Sequence, residues 1–329
     1  MVKIDKYNWE AYGNADLEPS VRAILSSQSM QRLKGIQQHG PDVWVWKKLV
    51  MTRYDHSLGV FLLLKKLGAP LEEQIAGLLH DAAHCAFSHV VDFVFNVQSS
   101  ADFHETEAEA FLEKSDLPEI LKKYGYSMSR LMHHENFPLL ERSLPDLCAD
   151  RIDYLLRDAF HFDLLDMDQV KFLLSALVVE NNEIVFSSKE AALLFGEKYL
   201  ETNRKIYSSP GAIFYHTMLA EALKIALDKK IISQDDLFTT DDEVKGKLVS
   251  SGDQAILERM SLISEKTKLV PADKIDCDYH LKVKIRVVDP KIFLNGKLKR
   301  LSEIDGAYEK TLAESKNLQK EGHFIKISA

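Results

Sequence analysis

The 329-residue chain has little of several things. Cysteine is scarce. Cys85, Cys148 and Cys277 are odd in number and unpatterned, which excludes a disulfide scaffold and a CxxC metal site and suits a reducing compartment. With 14 glycines and 9 prolines, long flexible or proline-rich linkers are excluded. The longest apolar runs, VFLLL at 60–64 and IAGLL at 75–79, fall far short of a membrane span, so no membrane partner is expected. The opening MVKIDKYNWE lacks the apolar core of a secretory signal, and a cytoplasmic location is expected. Positive charge is not in excess: Lys plus Arg is 42, Asp plus Glu is 50, and the net charge is −8. No global field attracts nucleic acid. Any anion the protein binds must meet a local cluster of positive groups or a metal.

What is present is an ordinary globular composition, 46% hydrophobic and 28% charged. The length suits one large domain, or a large and a small one. A chain this long buries roughly three quarters of its unfolded surface and needs no covalent staple. Helical periodicity dominates to about residue 228. Helices are predicted over VRAILSSQSMQRLKGIQQ (21–38), 56–68 ending at Gly68, 71–84, 104–114, 127–135, 144–161, 189–207 and 211–228. Strands are predicted at EIVFS (183–187) and LKVKIRVV (281–288), the second because its residues alternate. The acidic run 233–246 marks a boundary between residues 1–230, mainly α, and a smaller α+β region, 231–329.

Five of the twelve histidines crowd into residues 56–104: His56, His80, His84, His89 and His104. Taken singly, each is most simply a helix cap or a core residue. Crowded, they suggest metal binding or acid–base work. His80-Asp81 closes an apolar helix, and adjacent polar groups need a reason to face inward. A metal supplies one, since imidazole and carboxylate together suit Mn, Fe, Co, Zn or Ni. HDxxH then has two active readings. His80 and His84 both bind zinc with Asp81 as base, in the manner of HExxH proteases, or His80 and Asp81 bind metal while His84 faces substrate. The shorter arm of Asp favours the second.

In LPDLCADRIDYLLRDAFHF (144–162), Ser143 is a fair N-cap and Pro145 suits the first turn. Asp150, Tyr154 and Asp158 recur every four residues, flanked by Arg151 and Arg157. The simple reading is a solvated face with local ion pairs. A tyrosine between two carboxylates instead suggests a wall touching both a metal and a ligand. Arg53 stands three residues before His56, where a guanidinium could grip a phosphate whose other oxygen meets a metal; the alternative is a surface pair with Asp55. Asp92 precedes His104 by twelve residues. If the two touched, they would make a general acid for a leaving oxygen.

These segments, RYDHSLGV (53–60), QIAGLLHDAAHCAFSHVVD (74–92), FHETEAEAFL (103–112) and CADRIDYLLRDAFHF (148–162), with QRLKGIQQHG (31–40) upstream, resemble the HD-domain phosphohydrolase superfamily. The resemblance is nearest to its deoxynucleoside triphosphate triphosphohydrolase branch. It implies a helical HD core holding one divalent metal (Mn, Fe, Mg, Co, Zn or Ni) on His56, His80, Asp81 and Asp150. Arg53 would grip phosphate, with Arg151 a further phosphate contact. His84 would meet phosphate or the leaving group. His104, backed by Asp92 and with His89 close by, would act in acid catalysis. Tyr154 and Asp158 would recognise the sugar, and Gln38 its 3′-hydroxyl. The chain departs from the pattern at Ala82-Ala83-His84-Cys85-Ala86, in place of a Leu-Gly-His-Gly-Pro run, and at His39, where leucine is usual.

The resemblance implies water attack on a dNTP, releasing deoxynucleoside and triphosphate, and a homo-oligomer, dimer or higher. A plainer version cuts a nucleotide monophosphate or another phosphomonoester. A third has the domain sense nucleotides without turnover.

Overall fold

The structure is a computed structural model that describes residues 10–13, 16–49, 51–95 and 110–328. The protein is mainly α-helical, with two small sheets. Its central helix, Arg53–Lys66, is apolar almost all round and buries ten of its residues from Arg53 to Leu64. It starts on a capping box. Thr52 Oγ1 accepts from the Asp55 N–H at 3.2 Å, and the Asp55 carboxylate accepts from the Thr52 N–H at 3.1 Å. Asp55 therefore serves the helix start rather than Arg53. Beyond the helix, Gly68 takes the left-handed conformation (φ 74°) that turns the chain back into helix Leu71–Leu79.

Helices Leu71–Leu79 and Ala149–His161 pack against the central one. The core they share also takes in helices Pro19–Leu25 and Lys189–Thr202 and, from the tail, Val287, Val288, Ile292, Leu301 and Tyr308. A second core gathers Val90, Val91 and Val94 with helix Pro210–Asp228, the 237–256 helices, Leu281 and Ile325. The four-stranded sheet runs Leu177–Glu180, Glu183–Phe186, Lys291–Leu294, Lys297–Arg300. Its two hairpins join through a parallel pairing of Phe186 with Ile292. Strands Lys268–Pro271 and Tyr279–Leu281 flank His323–Ser328 in the other sheet, both antiparallel to it.

Several predicted elements need correction. The helix over 21–38 is broken: Pro19–Leu25 ends, Ser27 caps Gln28–Arg32, and a 3-10 turn follows. The helix over 71–84 stops at Leu79. The following residues form turns in which Phe87 (φ 61°) and Ser88 (φ 52°) both sit in the left-handed region. That loop is tied down from outside. Asp241 accepts from the Phe87 N–H at 2.6 Å and the Gln37 N–H at 2.9 Å, and Arg32 donates to Ala82 O at 2.9 Å. The helix over 144–161 starts at Ala149, with Cys148 and not Ser143 at its N-cap. Of the predicted strand 281–288 only Leu281 joins a sheet. Val287 and Val288 are both buried, so the alternation fails there, and side chains replace ladder partners: Gln319 bonds Arg286, and Tyr308 Oη donates to Val288 O at 2.7 Å. The predicted 104–114 helix lies partly outside the described residues, which show it from Ala110.

Candidate metal centre

His56 on the central helix, His80 and Asp81 just past helix Leu71–Leu79, and Asp150 in the first turn of helix Ala149–His161 converge. Ligand atoms of His56, His80 and Asp81 lie within 4.8 Å of one another. Asp150 Oδ1 is 2.8 Å from His56 Nε2 and 3.6 Å from His80 Nε2. Both rings are oriented from behind. His80 Nδ1–H donates to Gly77 O at 2.7 Å, and His56 Nδ1 meets Asp153 Oδ2 at 2.8 Å. His80 Nε2 is thereby turned into the cluster, where it is buried without a hydrogen-bond partner. An orphaned buried imidazole nitrogen facing two carboxylates is a donor set that suits a divalent cation.

The cluster is strongly coupled. Burial opposes the charge on His56, yet the hydrogen bonds to Asp150 and Asp153 push its pKa up to about 10. Burial also opposes ionisation of Asp81 and Asp150. It is outweighed by Arg53, His80 and His84 around Asp81, and by His56 and His80 around Asp150, so both carboxyls stay well below the usual range. A second group, Glu141, Cys148 and Asp150, also has ligand atoms within 4.8 Å. The Arg151 guanidinium already lies there, 3.1 Å from Cys148 Sγ and 3.5 Å from Glu141, so the position a cation would take is filled by one.

The HD domain family profile matches residues 53–158, a stretch that holds all four converging side chains. The chain belongs to the HD-domain superfamily. It is 38% identical to the uncharacterized protein YdhJ of Bacillus subtilis, over 96% of this chain and 97% of that one. It is 36% identical to the metal-dependent phosphohydrolase cns2 of Cordyceps militaris, over 62% of this chain and 61% of that one. Against the deoxynucleoside triphosphate triphosphohydrolase SAMHD1 of Gallus gallus the identity is 30%, over 36% of this chain and 23% of that one. A phosphohydrolase structure from Bacteroides thetaiotaomicron superposes with a TM-score of 0.75 at 18% identity, covering 98% of this chain and 99% of that one, a likeness of fold.

Around the HD centre, the other residues singled out by sequence fall into three groups. Arg53, His84 and His89 border it. Arg53 Nη1 donates to Asp81 at 2.8 Å and Nε to Ser88 Oγ at 2.9 Å, while Nη2 is buried with no partner. His84 Nε2 is 3.2 Å from Asp81 Oδ1, and its ring meets that of His89 edge-on. His89 in turn bonds Asp92 at 3.2 Å. His104 lies outside the described residues. Gln38, Tyr154 and Asp158 form a second group along a wall. The Gln38 side-chain oxygen is buried and unpaired. Tyr154 Oη is 3.1 Å from Tyr199 Oη. Both Asp158 oxygens are taken, by His39 Nε2 at 2.8 Å and by the Tyr207 hydroxyl at 2.7 Å. Arg151 stands alone: its guanidinium is committed to Asp146 O and Arg142 O at 2.6 and 3.1 Å.

Residue-level reasoning missed Asp153, His134 and Tyr207. Asp153 looked like the partner of Arg157 four residues on, a bond that does exist at 2.9 Å. His134 stacks edge-on against His80 with its Nε2 buried and unpaired, and burial, with the His80 charge next, lowers its pKa to about 4. Nothing in its local sequence distinguishes it from His133 beside it. No described helix is long and apolar enough to cross a membrane.

Proposed function

We propose that this protein is a divalent-metal-dependent phosphohydrolase acting on nucleotides, with a dNTP as substrate and deoxynucleoside and triphosphate as products. The observation that carries this reading is the pairing of two orphaned groups. His80 Nε2 is unsatisfied within the His–Asp cluster, and Arg53 Nη2 is unsatisfied beside Asp81. One suits a cation and the other a phosphate oxygen next to it. His56, His80, Asp81 and Asp150 would hold the metal, which when bound supplies Lewis acidity at phosphorus and a more acidic water.

The remaining work falls to the chain. Arg53 holds a phosphate oxygen through Nη2 and neutralises charge that develops there. His84 and His104 are placed in our reading to give a proton to the leaving oxygen, with Asp92 and His89 supporting them. Gln38 Oε1 accepts from a sugar hydroxyl, and the Tyr154 ring closes the wall beside it. A second reading, hydrolysis of a phosphomonoester, is favoured by one observation: His39 and Tyr207 already occupy both oxygens of Asp158, leaving neither open to a sugar hydroxyl.

A turnover assay on purified protein with Mn²⁺ and a panel of dNTPs, NTPs and monophosphates separates these. Release of triphosphate supports the first reading and orthophosphate the second. Tight binding without product would overturn both in favour of a nucleotide-sensing domain.

A further inference from the structure

Four arginines come near the centre, and three are committed. Arg53 bonds Asp81 and Ser88, Arg151 bonds two carbonyls, and Arg157 bonds Asp153. Arg286 is different. Among the described residues its guanidinium meets no carboxylate, carbonyl or hydroxyl, although the side chain is half-buried. Its charge acts on His89 in the loop after helix Leu71–Leu79, on Tyr154 of helix Ala149–His161, on Tyr199 of helix Lys189–Thr202 and on His216 of helix Pro210–Asp228. Four separate elements thus face this one guanidinium. His89 lies under the influence of Arg53 as well.

The placement of Arg286 is built and not incidental. The buried Gln319 amide clamps its backbone from both sides: Arg286 N–H donates to Gln319 Oε1 at 2.7 Å, and Gln319 Nε2 donates to Arg286 O at 3.3 Å. The next two residues, Val287 and Val288, are anchored in the core, and Tyr308 bonds Val288 O. A guanidinium held this way, partly out of water and near a second arginine, lacks the counter-charge that its surroundings call for. A polyanion reaching from Arg53 outward would supply it.

We propose that Arg286, delivered by the tail, is a second phosphate-binding residue of the HD centre, engaging the part of a polyphosphate beyond the oxygen that Arg53 holds. The inference rests on the phosphohydrolase reading. It adds that this site grades its ligands by phosphate chain length, through a residue outside the matched 53–158 stretch.

The test is calorimetric binding of inorganic triphosphate and of orthophosphate to Mn²⁺-loaded full-length protein, with turnover measured in parallel. Arg286→Ala is expected to weaken triphosphate roughly 10–100-fold, the size of a lost charge-assisted contact, and to leave orthophosphate within about twofold. Arg286→Lys should recover part of the loss and guards against a folding artefact. Gln319→Leu, which frees the clamp without touching the charge, should weaken triphosphate in the same sense. If wild-type protein binds triphosphate or turns over nucleotide and Arg286→Ala and Arg286→Lys behave like wild type, the Arg286 inference is overturned while the function stands. An equal loss for both anions also overturns it. Wild-type protein that neither binds these anions nor turns over any of the panel would overturn the function and the inference together.

Discussion

The imidazole of His56 is held between two carboxylates, with Nδ1 2.8 Å from Asp153 Oδ2 and Nε2 2.8 Å from Asp150 Oδ1. Asp150 faces the candidate metal position and Asp153 stands behind the ring, completely buried and also bonded to Arg157. Asp153 therefore sets which nitrogen of His56 is presented to the centre. Asp153→Asn keeps the shape and removes the charge. It is expected to weaken metal affinity about 10–100-fold, read by titration of the apoprotein with Mn²⁺ or Zn²⁺. An unchanged affinity would separate Asp153 from the centre.

Gly59 permits that arrangement. A Cβ at this position would stand 2.2 Å from Asp153 Oδ1 and 2.5 Å from Arg157 Nη2. Replacing a helical glycine with alanine ordinarily stabilises by about 1 kcal/mol. Here both nearest atoms belong to a buried ion pair that has nowhere to move, and overpacking of this kind costs about 1–3 kcal/mol. Gly59→Ala is expected to lower the melting temperature and to weaken metal binding at the same time. A variant as stable as wild type would mean that the pair relaxes.

Removing the metal should also be visible as stability. The four converging side chains come from three separate stretches of chain, so a cation binding them stabilises the folded state alone. At a free concentration of 100 times Kd the gain is about 2.7 kcal/mol. Chelation is expected to lower the melting temperature and re-addition to restore it, as followed by calorimetry. An identical melting curve before and after complete chelation is the outcome against.

Asp42 provides a pH signature away from the metal cluster. It is buried, with Oδ1 unpaired, and faces His39, His216 and Tyr215. Burial raises its pKa from 3.8 to about 7, with His39 opposing. The folded state therefore keeps a proton that the unfolded chain releases, and stability falls as pH rises between about 4 and 7. Asp42→Asn should remove that component. Relative to wild type it should gain on the order of 2 kcal/mol between pH 5 and pH 8, measured by urea unfolding. No difference in slope would mean that Asp42 is already ionised at low pH.

Sequence made the centre legible where polarity was out of place. His80-Asp81 at the end of an apolar helix demanded a reason, and Asp150 opened a line of polar residues at helical spacing. Asp153 lies three residues from Asp150, on nearly the same face, yet local spacing explained it fully through Arg157. What it does to His56 depends on a helix ninety residues away. The tail was misread for a related reason. Alternation in LKVKIRVV shows an extended chain but not whether a strand lies alongside, and here Gln319 and Tyr308 take the place of one. Helix 71–84 was over-extended because Ala82 and Ala83 favour helix. The contacts that end it, from Asp241 and Arg32, come from remote parts of the chain.

The parallel pairing of Phe186 with Ile292 has a consequence for synthesis. The hairpin ending at Phe186 leaves the ribosome about a hundred residues before its neighbour exists. Until then its outer edge offers unpaired amides and carbonyls to any passing strand, a standing invitation to aggregation. Chains cut short before Lys291 would keep that edge open permanently. Such fragments are therefore expected to be natural clients of chaperones.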